Sequence, residues 1–481
     1  MINFLLNNRT IQTPVSPGTT LLDFVRYHQH LVGTKIGCRE GDCGACAVLV
    51  GQLEKDELRY RSMTSCLMPL GNAQGKHIVT IEGLNMKKLS PVQQAIVEEG
   101  GSQCGFCTVG FVVSLTGFAM QEMTVFEKMS SQDAIASIDG NICRCTGYKS
   151  IERAALKITD LLTEMTPGQG LAGPTPEGHL KWLVDQQFLP PYFLEIKNRL
   201  AALPPSSAHR PTSERGIFVG GGTDLWVQRP EAMTEATIEN IFDRPELKSI
   251  TEADNKCHIG AAVTAQELQE SPLLQSIFPK LRAHMKLVSS TPIRNMGTLG
   301  GNLVNASPIG DLTIFFLALD SSIILNKNGN KRRIKLRHFY QGYKTLDLVP
   351  GEYIESLFFE IPGMTDHFHF EKVCKRTHLD IASVNAACLL KMKGDLVQEA
   401  HLSAGGVGPV PMYLKKSSAT LNGQILNASL IKKTAAVMQE EISPISDARG
   451  TAAYKKLLLR QLFFANILEI KNSRLELREL I

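Results

Sequence analysis

Gly37-Cys38-Arg39-Glu40-Gly41-Asp42-Cys43-Gly44-Ala45-Cys46-Ala47-Val48-Leu49-Val50 is the stretch around which the chain of 481 residues is organised. Its three cysteines have C-x4-C-x2-C spacing, and nineteen residues separate the last of them from a fourth, Cys66. This is the plant-type ferredoxin spacing of a [2Fe–2S] cluster, and the interleaved glycines let the backbone bend closely around such a group. Structural zinc is the competing interpretation, although zinc sites favour paired C-x2-C knuckles. The spacing therefore favours an iron–sulfur cluster on Cys38, Cys43, Cys46 and Cys66.

Length and composition predict an ordinary multidomain globular protein. At ~150 residues per domain the length suggests about three domains, and 43% hydrophobic with 20% charged residues give ample core. The net charge of +4 is small, so neither nucleic acid nor a membrane surface is an expected partner. No apolar run reaches the ~18 residues of a membrane span, and the N-terminus lacks a signal-peptide pattern. We therefore expect a cytoplasmic protein whose eleven cysteines favour metal binding over disulfides.

Strand patterns surround the first cysteine stretch. Residues 2–6, 47–50 and 78–81 are short β-branched or apolar runs typical of strands, and residues 21–27 have a helical pattern. We expect a small β-rich domain over residues 1–82 that holds the cysteine loop on a rigid sheet.

Helical periodicity begins at Ser90. Ser90-Pro91-Val92-Gln93 is a capping box with proline at the first helical position. Two further apolar helical patterns precede Gly140, and Ser150 is the expected N-cap of a fourth helix. The pattern predicts a bundle of four helices.

A second group of cysteines lies at the ends of these helices. Cys104 and Cys107 precede the second helix, and Cys143 and Cys145 precede the fourth. Four thiols predict a metal centre, and their spacing alone leaves zinc and iron–sulfur open. The C-x-C pair and the adjacent ferredoxin-type domain favour a second [2Fe–2S] cluster.

The other cysteines and several histidines carry no ligand pattern. Cys257, Cys374 and Cys388 are interpreted as small buried hydrophobic residues. His367, His369 and His378 lack metal-ligand spacing and are interpreted as surface or core residues.

A stretch rich in proline and glycine interrupts the chain after the helices. Residues 166–178 contain seven such residues in thirteen positions, which predicts an interdomain linker. We place the helical domain at residues 83–165 and the linker at residues 166–189.

Two glycine-rich loops follow apolar strand patterns in the second half of the chain. The first is Gly220-Gly221-Gly222-Thr223-Asp224-Leu225, and the second covers residues 297–311. Rows of backbone N–H groups can bind a pyrophosphate, yet neither loop has Walker or Rossmann spacing. A plain turn remains an alternative for each loop.

The order of these motifs resembles the molybdenum hydroxylase family, and within it the small subunits of xanthine dehydrogenases. Residues 37–50 are similar to its ferredoxin signature, and residues 102–107 with 140–148 are similar to its second-cluster signature. Residues 218–225 and 298–311 resemble its two FAD-contacting segments, and residues 348–352 with 375–382 resemble the start of its last domain. Val109 is a departure, because the family usually has proline there.

The resemblance implies a multidomain α+β fold. Its expected parts are a β-grasp ferredoxin-like domain over residues 1–82, a four-helix [2Fe–2S] bundle over 83–165, an α/β FAD-binding domain of the vanillyl-alcohol-oxidase/CO-dehydrogenase-flavoprotein type over 190–363, and a C-terminal α+β domain of the CO-dehydrogenase-flavoprotein kind over 364–481.

The resemblance also implies the cofactors and partners. It predicts two [2Fe–2S] clusters and one FAD on this chain, NAD as acceptor, and a molybdenum–pterin cofactor on a large partner subunit in a dimer of heterodimers. The cluster on Cys104, Cys107, Cys143 and Cys145 is expected to face molybdenum, and the other cluster to face FAD. The residues expected to contact FAD are Phe218, Val219, Gly220, Gly221, Gly222, Thr223, Asp224, Leu225, Thr298, Gly300, Gly301, Asn302, Ser307 and Asp311.

The implied function is electron transfer during hydroxylation of hypoxanthine and xanthine to urate, with no catalytic residue on this chain. Electrons are expected to pass from molybdenum through both clusters to FAD and then to NAD. One alternative is the equivalent subunit of another molybdenum hydroxylase that acts on an N-heterocycle or an aldehyde. The other is a non-enzymatic, zinc-stabilised assembly protein.

Overall fold

The computed structural model of the chain describes residues 1–121, 130–164, 176–204, 216–376, 380–470 and 476–480. The chain divides into two compact units. Unit 1 consists of Met1–Thr212, Gly221–Asn240 and Ser290–Met296, and unit 2 consists of Ser213–Gly220, Ile241–Ser289 and Gly297–Ile481.

The N-terminal part of unit 1 is a mixed five-stranded sheet. Its strands are β1 (Ile2–Leu6), β2 (Arg9–Thr13), β3 (Ala47–Glu54), β4 (Glu57–Thr64) and β5 (His77–Val79). Their order is β2-β1-β5-β3-β4, with β1 and β5 parallel and the other neighbours antiparallel. Helix α1 (Leu21–Asp23) continues as a π-helical turn, Phe24–His28, and a 3-10 turn covers Leu70–Ala73. The buried rings of Phe4 and Phe24 pack 5.7 Å apart, which holds this helix on the sheet.

His77 on β5 is a buried, uncharged histidine. Its Nε2–H donates to the carbonyl of Asn7 at 2.9 Å, so Nδ1 is free to accept from the Tyr60 hydroxyl at 2.6 Å. Burial lowers the pKa of His77 from 6.5 to about 3. The folded chain therefore favours the neutral ring. The contribution of His77 to the free energy of unfolding is complete above pH 6.5 and is lost as the pH falls toward 3.

This histidine should make unit 1 sensitive to acid. We expect the urea midpoint of unfolding to fall between pH 6.5 and 5, because His77 removes up to ~1.4 kcal/mol of stability per pH unit there. In His77→Gln this component should be absent, so the midpoint should depend less on pH. Substitution of the exposed His338 by Gln is the control. Identical pH slopes for the His77 variant and the native chain would contradict this prediction.

A helical bundle follows the sheet. Its helices are α2 (Ile81–Leu84), α3 (Pro91–Glu98), α4 (Thr108–Ala119), α5 (Ser131–Ser137) and α6 (Lys149–Glu164). The predicted capping box is present, because Ser90 Oγ accepts from the Gln93 amide at 3.3 Å and Gln93 Oε1 accepts from the Ser90 amide at 2.9 Å. Helix α4 is buried on all sides from Gly110 to Ala119, as its uniformly apolar sequence requires.

The start of the fourth predicted helix differs from the expectation. Ser150 is not the N-cap but lies inside α6, which begins at Lys149. The Tyr148 carbonyl already accepts the first helical hydrogen bond, from the Glu152 amide at 2.9 Å. Tyr148 also has a positive φ of 69°, so the chain reverses just before the helix.

The second half of the predicted linker is helical. Residues 165–175 lie outside the described residues, but α7 (Pro176–Asp185), a 3-10 turn (Pro191–Glu195) and α8 (Ile196–Ala201) follow. The buried side chains of Leu183, Phe188 and Phe193 join the hydrophobic core of the bundle. Proline and glycine content suggested a linker here, whereas these spaced apolar residues determine a packed segment.

The middle of the chain contains an antiparallel sheet and short helices. In chain order the elements are β6 (Ile217–Val219), α9 (Leu225–Gln228), α10 (Pro230–Glu235), β7 (Ile238–Asn240), a 3-10 turn (Pro245–Leu247), β8 (Ile250–Ala253), β9 (Lys256–Gly260), α11 (Ala265–Glu270), α12 (Pro272–Ile277), α13 (Leu281–Lys286), α14 (Thr291–Arg294), α15 (Leu299–Asn305), α16 (Asp311–Ala318), β10 (Ser322–Lys327), β11 (Asn330–Lys335), a 3-10 turn (Leu336–His338), β12 (Tyr340–Gly342), β13 (Thr345–Leu346) and β14 (Tyr353–Glu360). Strands of unit 2 form a sheet in the order β11-β10-β14-β9-β8. The core packed on it includes Ile259, Leu299, Phe316, Ile323 and Leu357.

The C-terminal part of unit 2 is a second antiparallel sheet with helices. Its elements are β15 (Asp366–Val373), β16 (Val384–Lys393), β17 (Leu396–Gly405), β18 (Met412–Tyr413), α17 (Lys415–Leu421), β19 (Gln424–Ile425), α18 (Ala428–Glu441), α19 (Ala452–Leu468) and α20 (Leu477–Leu480). The order is β15-β16-β17-β18, and β19 also pairs with β17. Thr451 caps α19 by accepting from the Tyr454 amide at 3.1 Å. His378 lies outside the described residues.

These parts together confirm the predicted multidomain α+β fold. In the described ranges, no helix combines the length and the apolar character needed to cross a membrane.

Candidate functional site

The first cysteine group lies at one end of the β3–β4 hairpin in unit 1. Cys46 directly precedes β3, and Cys66 follows the end of β4 by two residues. Since Ala47 pairs with Thr64, these two cysteines come to the same end of the hairpin. Cys46 and Cys66 are buried, whereas Cys38 and Cys43, in the preceding loop, are partly exposed.

Backbone amides point at the sulfur atoms of this loop. Cys38 Sγ accepts from the amides of Glu40 and Asp42, both at 3.3 Å, and Cys43 Sγ accepts from the Cys38 amide at 3.4 Å. Gly37 has no room for a side chain, because a Cβ there would lie 2.5 Å from Cys43 Sγ. The glycine and the amides thus shape a loop that surrounds sulfur, as an iron–sulfur site requires.

The second cysteine group joins the N-terminal ends of α4 and α6. Cys104 Sγ and Cys145 Sγ lie 3.6 Å apart, and the Cys107 and Cys143 thiols are hydrogen-bonding partners. Cys143 is buried, but Cys104 and Cys145 are exposed. The structure therefore brings all four cysteines to one place at the surface of the bundle.

Two polar side chains at this second group were not identified from the sequence. The Thr146 hydroxyl donates to Cys143 Sγ at 3.2 Å, and the Tyr148 hydroxyl accepts from the Cys143 amide at 3.1 Å. Thr146 directly follows the C-x-C pair and Tyr148 comes two positions later, so their nearness in sequence to the thiols was the available signal. Outer hydrogen bonds of this kind orient metal ligands.

The two cysteine loops contact each other directly within unit 1. The Ile142 amide donates to the Cys43 carbonyl at 3.0 Å, and Asn141 Nδ2 donates to the Gly44 carbonyl at 3.3 Å. Asn141 is itself held by the Ser114 hydroxyl at 2.9 Å. Gly44 has a φ of +66°, and a Cβ on it would lie 2.4 Å from Asn141 Nδ2. This close approach places the two groups of thiols next to one another.

The thiols are arranged in pairs. The pairs are Cys38 with Cys43, Cys46 with Cys66, Cys104 with Cys145, and Cys107 with Cys143. Two thiolates on one tetrahedral metal ion with bonds of ~2.3 Å are roughly 3.8 Å apart, close to the 3.6 Å between Cys104 and Cys145. A [2Fe–2S] cluster takes two thiolates on each of two irons, so two pairs per group fit such a cluster. No group of three or more His, Cys, Asp or Glu side chains among the described residues has the geometry to hold a single metal ion.

Each group contains thiols that ionise readily. A hydrogen bond with the Cys43 thiol, helped by backbone amides, lowers the pKa of Cys38 to about 5. Burial raises the pKa of Cys143, but hydrogen bonds from the Thr146 hydroxyl and amide outweigh burial and lower it to about 7. Because the thiolate is the form that binds metal, these environments favour ligation.

The second glycine-rich segment opens α15 in unit 2. Thr298 caps this helix by accepting from the Gly301 amide at 3.1 Å. Gly300 donates to the Ala261 carbonyl at 2.8 Å, and a Cβ on Gly300 would lie 2.9 Å from Ala261 Cβ. A Cβ on Gly220 would lie 2.6 Å from Thr298 Oγ1. These glycines therefore allow backbone segments to approach one another closely.

Two predicted flavin contacts also bond within unit 2. Asn302 Oδ1 accepts from the amide and the hydroxyl of Thr313, at 3.2 and 3.0 Å. Ser307 Oγ accepts from the Ile309 amide at 3.4 Å. Both side chains thus help to order the segment, and their contact with FAD stays a prediction.

Asp311 forms a buried network with the C-terminal sheet. Its carboxylate accepts from Lys372 Nζ at 2.7 Å and from Asn385 Nδ2 at 2.6 Å. Lys372 also donates to the Leu287 carbonyl at 2.6 Å, and only 1% of its side chain is exposed. Asp311 therefore has a structural role that its sequence position did not indicate.

The first glycine-rich segment enters unit 1 at Gly221. A Cβ on Gly221 would lie 1.8 Å from the Met296 carbonyl oxygen, and one on Gly222 would lie 2.7 Å from the Leu67 carbonyl oxygen. Gly222 also has a φ of +84°. Close packing against the protein backbone is thus one reason for glycine at both positions. The approach of a pyrophosphate to this segment stays a prediction.

The remaining residues of this segment divide between the units. In unit 2, the Phe218 ring lies 5.0 Å from the Tyr353 ring, and Val219 is fully buried. In unit 1, Asp224 precedes α9, which begins at Leu225.

Four sequence families match successive parts of the chain. Residues 4–71 match "2Fe-2S iron-sulfur cluster binding domain", and residues 80–156 match "[2Fe-2S] binding domain". Residues 208–362 match "FAD binding domain in molybdopterin dehydrogenase", and residues 369–470 match "CO dehydrogenase flavoprotein C-terminal domain". The chain has the domain set of a molybdenum hydroxylase small subunit. It carries two [2Fe–2S]-binding domains and one FAD-binding domain, as predicted.

Curated relatives of this chain are much longer proteins. Xanthine dehydrogenase from Emericella nidulans is 28% identical over 96% of this chain and 38% of its own length. Xanthine dehydrogenase 1 from Arabidopsis thaliana is 28% identical over 94% of this chain and 38% of its own length. Xanthine dehydrogenase/oxidase from Rattus norvegicus is 27% identical over 100% of this chain and 40% of its own length. The chain spans about two fifths of the length of these relatives.

Solved structures are similar to about half of the chain. Reconstituted CO dehydrogenase from Oligotropha carboxidovorans has a TM-score of 0.50 at 25% identity and covers 53% of this chain and 88% of its own. CO dehydrogenase from Hydrogenophaga pseudoflava has a TM-score of 0.51 at 22% identity and covers 53% of this chain and 89% of its own. At this identity the likeness supports the fold alone. Together, the matched domains support the electron-transfer part of the molybdenum hydroxylase family.

Proposed function

We propose that this chain is the electron-transfer subunit of a xanthine dehydrogenase. A large partner subunit carries the molybdenum–pterin cofactor, and electrons taken from a purine reach NAD by way of the two clusters and FAD. The clusters supply single-electron relay, and FAD supplies the exchange between single electrons and hydride.

The observation that carries this proposal is the fusion of all four domains in one chain. The xanthine dehydrogenase relatives align with 94–100% of the chain, whereas the CO dehydrogenase chain of Oligotropha carboxidovorans covers only 53% of it. Iron–sulfur and flavin domains in one polypeptide therefore support the xanthine dehydrogenase arrangement over the split one.

The proposal assigns each cysteine group to one cluster. Cys38, Cys43, Cys46 and Cys66 hold the cluster nearer to FAD, and Cys104, Cys107, Cys143 and Cys145 hold the cluster nearer to molybdenum. The exposure of the cysteines supports the assignment of the second cluster to the side of molybdenum. Cys104 and Cys145 lie open to a partner, whereas Cys46 and Cys66 are buried. The contact between the two loops then gives the electron a short path within unit 1.

The FAD assignment uses the two glycine-rich segments, residues 218–225 and 298–311. They offer backbone N–H groups without obstructing side chains, which suits a pyrophosphate. We place the protein in the cytoplasm. None of its eleven cysteines forms a disulfide, which agrees with a reducing compartment.

We expect Gly221→Val to lose most of its FAD. The added side chain has no space beside the Met296 carbonyl, so the loop must move away from the position that we assign to the pyrophosphate. Flavin absorbance per chain in the purified protein measures the loss. Gly342→Ala is the control, because its Cβ would meet nothing closer than 3.9 Å. Full FAD content in the Gly221 variant would place the flavin site elsewhere.

A second candidate is the equivalent subunit of another molybdenum hydroxylase. The likeness of about half of this chain to a CO dehydrogenase chain, at 25% identity, favours this candidate. Substrate choice then belongs to the partner subunit, since no residue assigned here would touch the substrate.

The deciding experiment is to purify the chain with the subunit that co-elutes with it. We expect iron, molybdenum and pterin in the complex, together with NAD reduction that depends on xanthine. Reduction that depends on another heterocycle or an aldehyde, with xanthine inactive, would favour the second candidate.

A further inference from the structure

The segment Ser290–Met296 belongs to unit 1, although the first cysteine group already ends at Cys66. Helix α14 (Thr291–Arg294) forms its centre. Next to this helix, Asn295 Nδ2 donates to the Ser62 carbonyl at 2.8 Å. Ser62 lies on β4, the strand that leads to the fourth cysteine of the group. A distant part of the chain, with no residue assigned to a cluster or to FAD, thus packs beside the first cysteine group.

A buried ion pair fixes α14 in this position. Arg294 Nη2 lies 3.0 Å from Asp139 Oδ2, and the two side chains are only 4% and 3% exposed. The other carboxylate oxygen of Asp139 accepts from the Thr291 amide at 2.7 Å, and the Thr291 hydroxyl donates to the Ala136 carbonyl at 3.0 Å. Separating such a pair would leave a charge buried without a partner, which is strongly unfavourable. We therefore expect α14 to be a fixed point within unit 1.

Ile293 on α14 lies against the first cysteine loop at Gly41. A Cβ on Gly41 would lie 2.6 Å from Ile293 Cδ1 and 2.8 Å from Leu67 Cδ1, so these two methyl groups fill the space beside the buried glycine. The loop has another anchor, the ion pair of Arg39 with Asp23, but its side chains are 42% and 27% exposed. Exposed ion pairs contribute little to stability. The buried contact with Ile293 is therefore the firmer anchor of this loop.

Gly41 stands between two residues whose amides bind the sulfur of Cys38. These are the amides of Glu40 and Asp42, which donate to Cys38 Sγ at 3.3 Å each. Because the three residues are consecutive, a displacement of Gly41 would move both amides away from the sulfur. Hydrogen bonds to the ligand sulfurs are one of the factors that set the reduction potential of an iron–sulfur cluster. The position of Gly41 therefore bears on that potential.

We propose that Ile293 is a positioning residue of the cluster held by the first cysteine group. Its Cδ1 methyl group keeps Gly41 in place, so the two neighbouring amides stay directed at Cys38 Sγ. These N–H groups stabilise the negative charge that a cluster gains when it is reduced, so Ile293 keeps the reduction potential high. The inference rests on the proposed ligation of this cluster and deepens it, because it adds a residue that lies outside both cysteine motifs.

The test measures reduction potentials in the full cofactor-containing chain. Each cluster takes up one electron during a titration with dithionite, and its paramagnetic signal gives the reduced fraction. The signal that Cys43→Ser removes belongs to the first cysteine group. In Ile293→Ala we expect the equilibrium constant for reduction of this cluster to fall at least ~10-fold, which is ~59 mV for one electron, because the amides lose their fixed direction. The other cluster should keep its potential.

Two further variants separate positioning from stability. Ile293→Leu keeps a terminal methyl group on the side chain and should keep the native potential. Leu58→Ala also shortens a half-buried aliphatic side chain of unit 1, but Leu58 pairs with Leu53 at the opposite end of the β3–β4 hairpin from the cysteines. Both alanine variants lose packing and should melt at a lower temperature. Only Ile293→Ala should shift a reduction potential.

Several results would overturn the proposal. These are an unchanged potential in Ile293→Ala, or a shift of equal size in Leu58→Ala. A raised potential would also contradict it, because water admitted to the loop would then be the dominant effect and Ile293 would act only by excluding solvent. If Ile293→Ala does not fold, Ile293→Val, which removes only the Cδ1 methyl group, decides the matter by the same titration. Absence of any signal that depends on Cys43 would refute the ligation itself, and this proposal with it.

Discussion

Replacing Cys143 by serine should remove one of the two paramagnetic signals of the reduced chain and leave the other at full intensity. Cys43→Ser should remove the other signal. The reason is that the structure separates the eight thiols into two groups, each with two pairs, and no thiol is shared. Iron should fall from about four to about two per chain in each variant.

A matched variant separates loss of a ligand from damage to the fold. Cys374→Ser changes a partly exposed cysteine outside both groups and should keep both signals. Cys143→Ala, which offers no oxygen ligand, should reproduce the serine result. Zinc without iron or labile sulfide in protein prepared without oxygen would refute the cluster assignment. Loss of both signals in Cys143→Ser would show that the two sites do not form independently.

Local patterns predicted the elements whose determinants are close in sequence. The capping box at Ser90 and the cap at Thr451 need only residues three positions apart, and both are present. The cysteine spacings located both thiol groups because each group uses short loops at fixed places between strands or helices. Patterns that depend on residues only a few positions apart can therefore be recognised from the sequence alone.

Long-range contacts explain where the sequence was insufficient. The FAD contact of Asp311 stays a prediction, whereas its bonds to Lys372 and Asn385, more than sixty positions away, could not be predicted from local sequence. The second half of the predicted linker is helical because Leu183 and Phe188 pack on a core assembled from distant helices.

The isolated chain should oxidise NADH with ferricyanide but should not oxidise xanthine. The first reaction needs only FAD and the clusters, which we assign to this chain. The second needs a centre that takes electrons from a purine, and every recognised motif of the chain is assigned to a cluster or to FAD. Adding the molybdenum-bearing partner should bring xanthine-dependent NAD reduction from background to full activity.

The partner should bind over the second cysteine group. Cys104 and Cys145 are exposed there, and the neighbouring apolar side chains of Phe106 and Tyr148 are 45% and 38% exposed. Phe106→Asp should therefore reduce co-purification with the partner, because a charge would be buried in the interface. Met364→Asp, at a still more exposed apolar residue of unit 2, should not reduce co-purification. Unchanged assembly of the Phe106 variant would show that the interface lies elsewhere. Xanthine oxidation by the single chain free of molybdenum would overturn its assignment as an electron-transfer subunit.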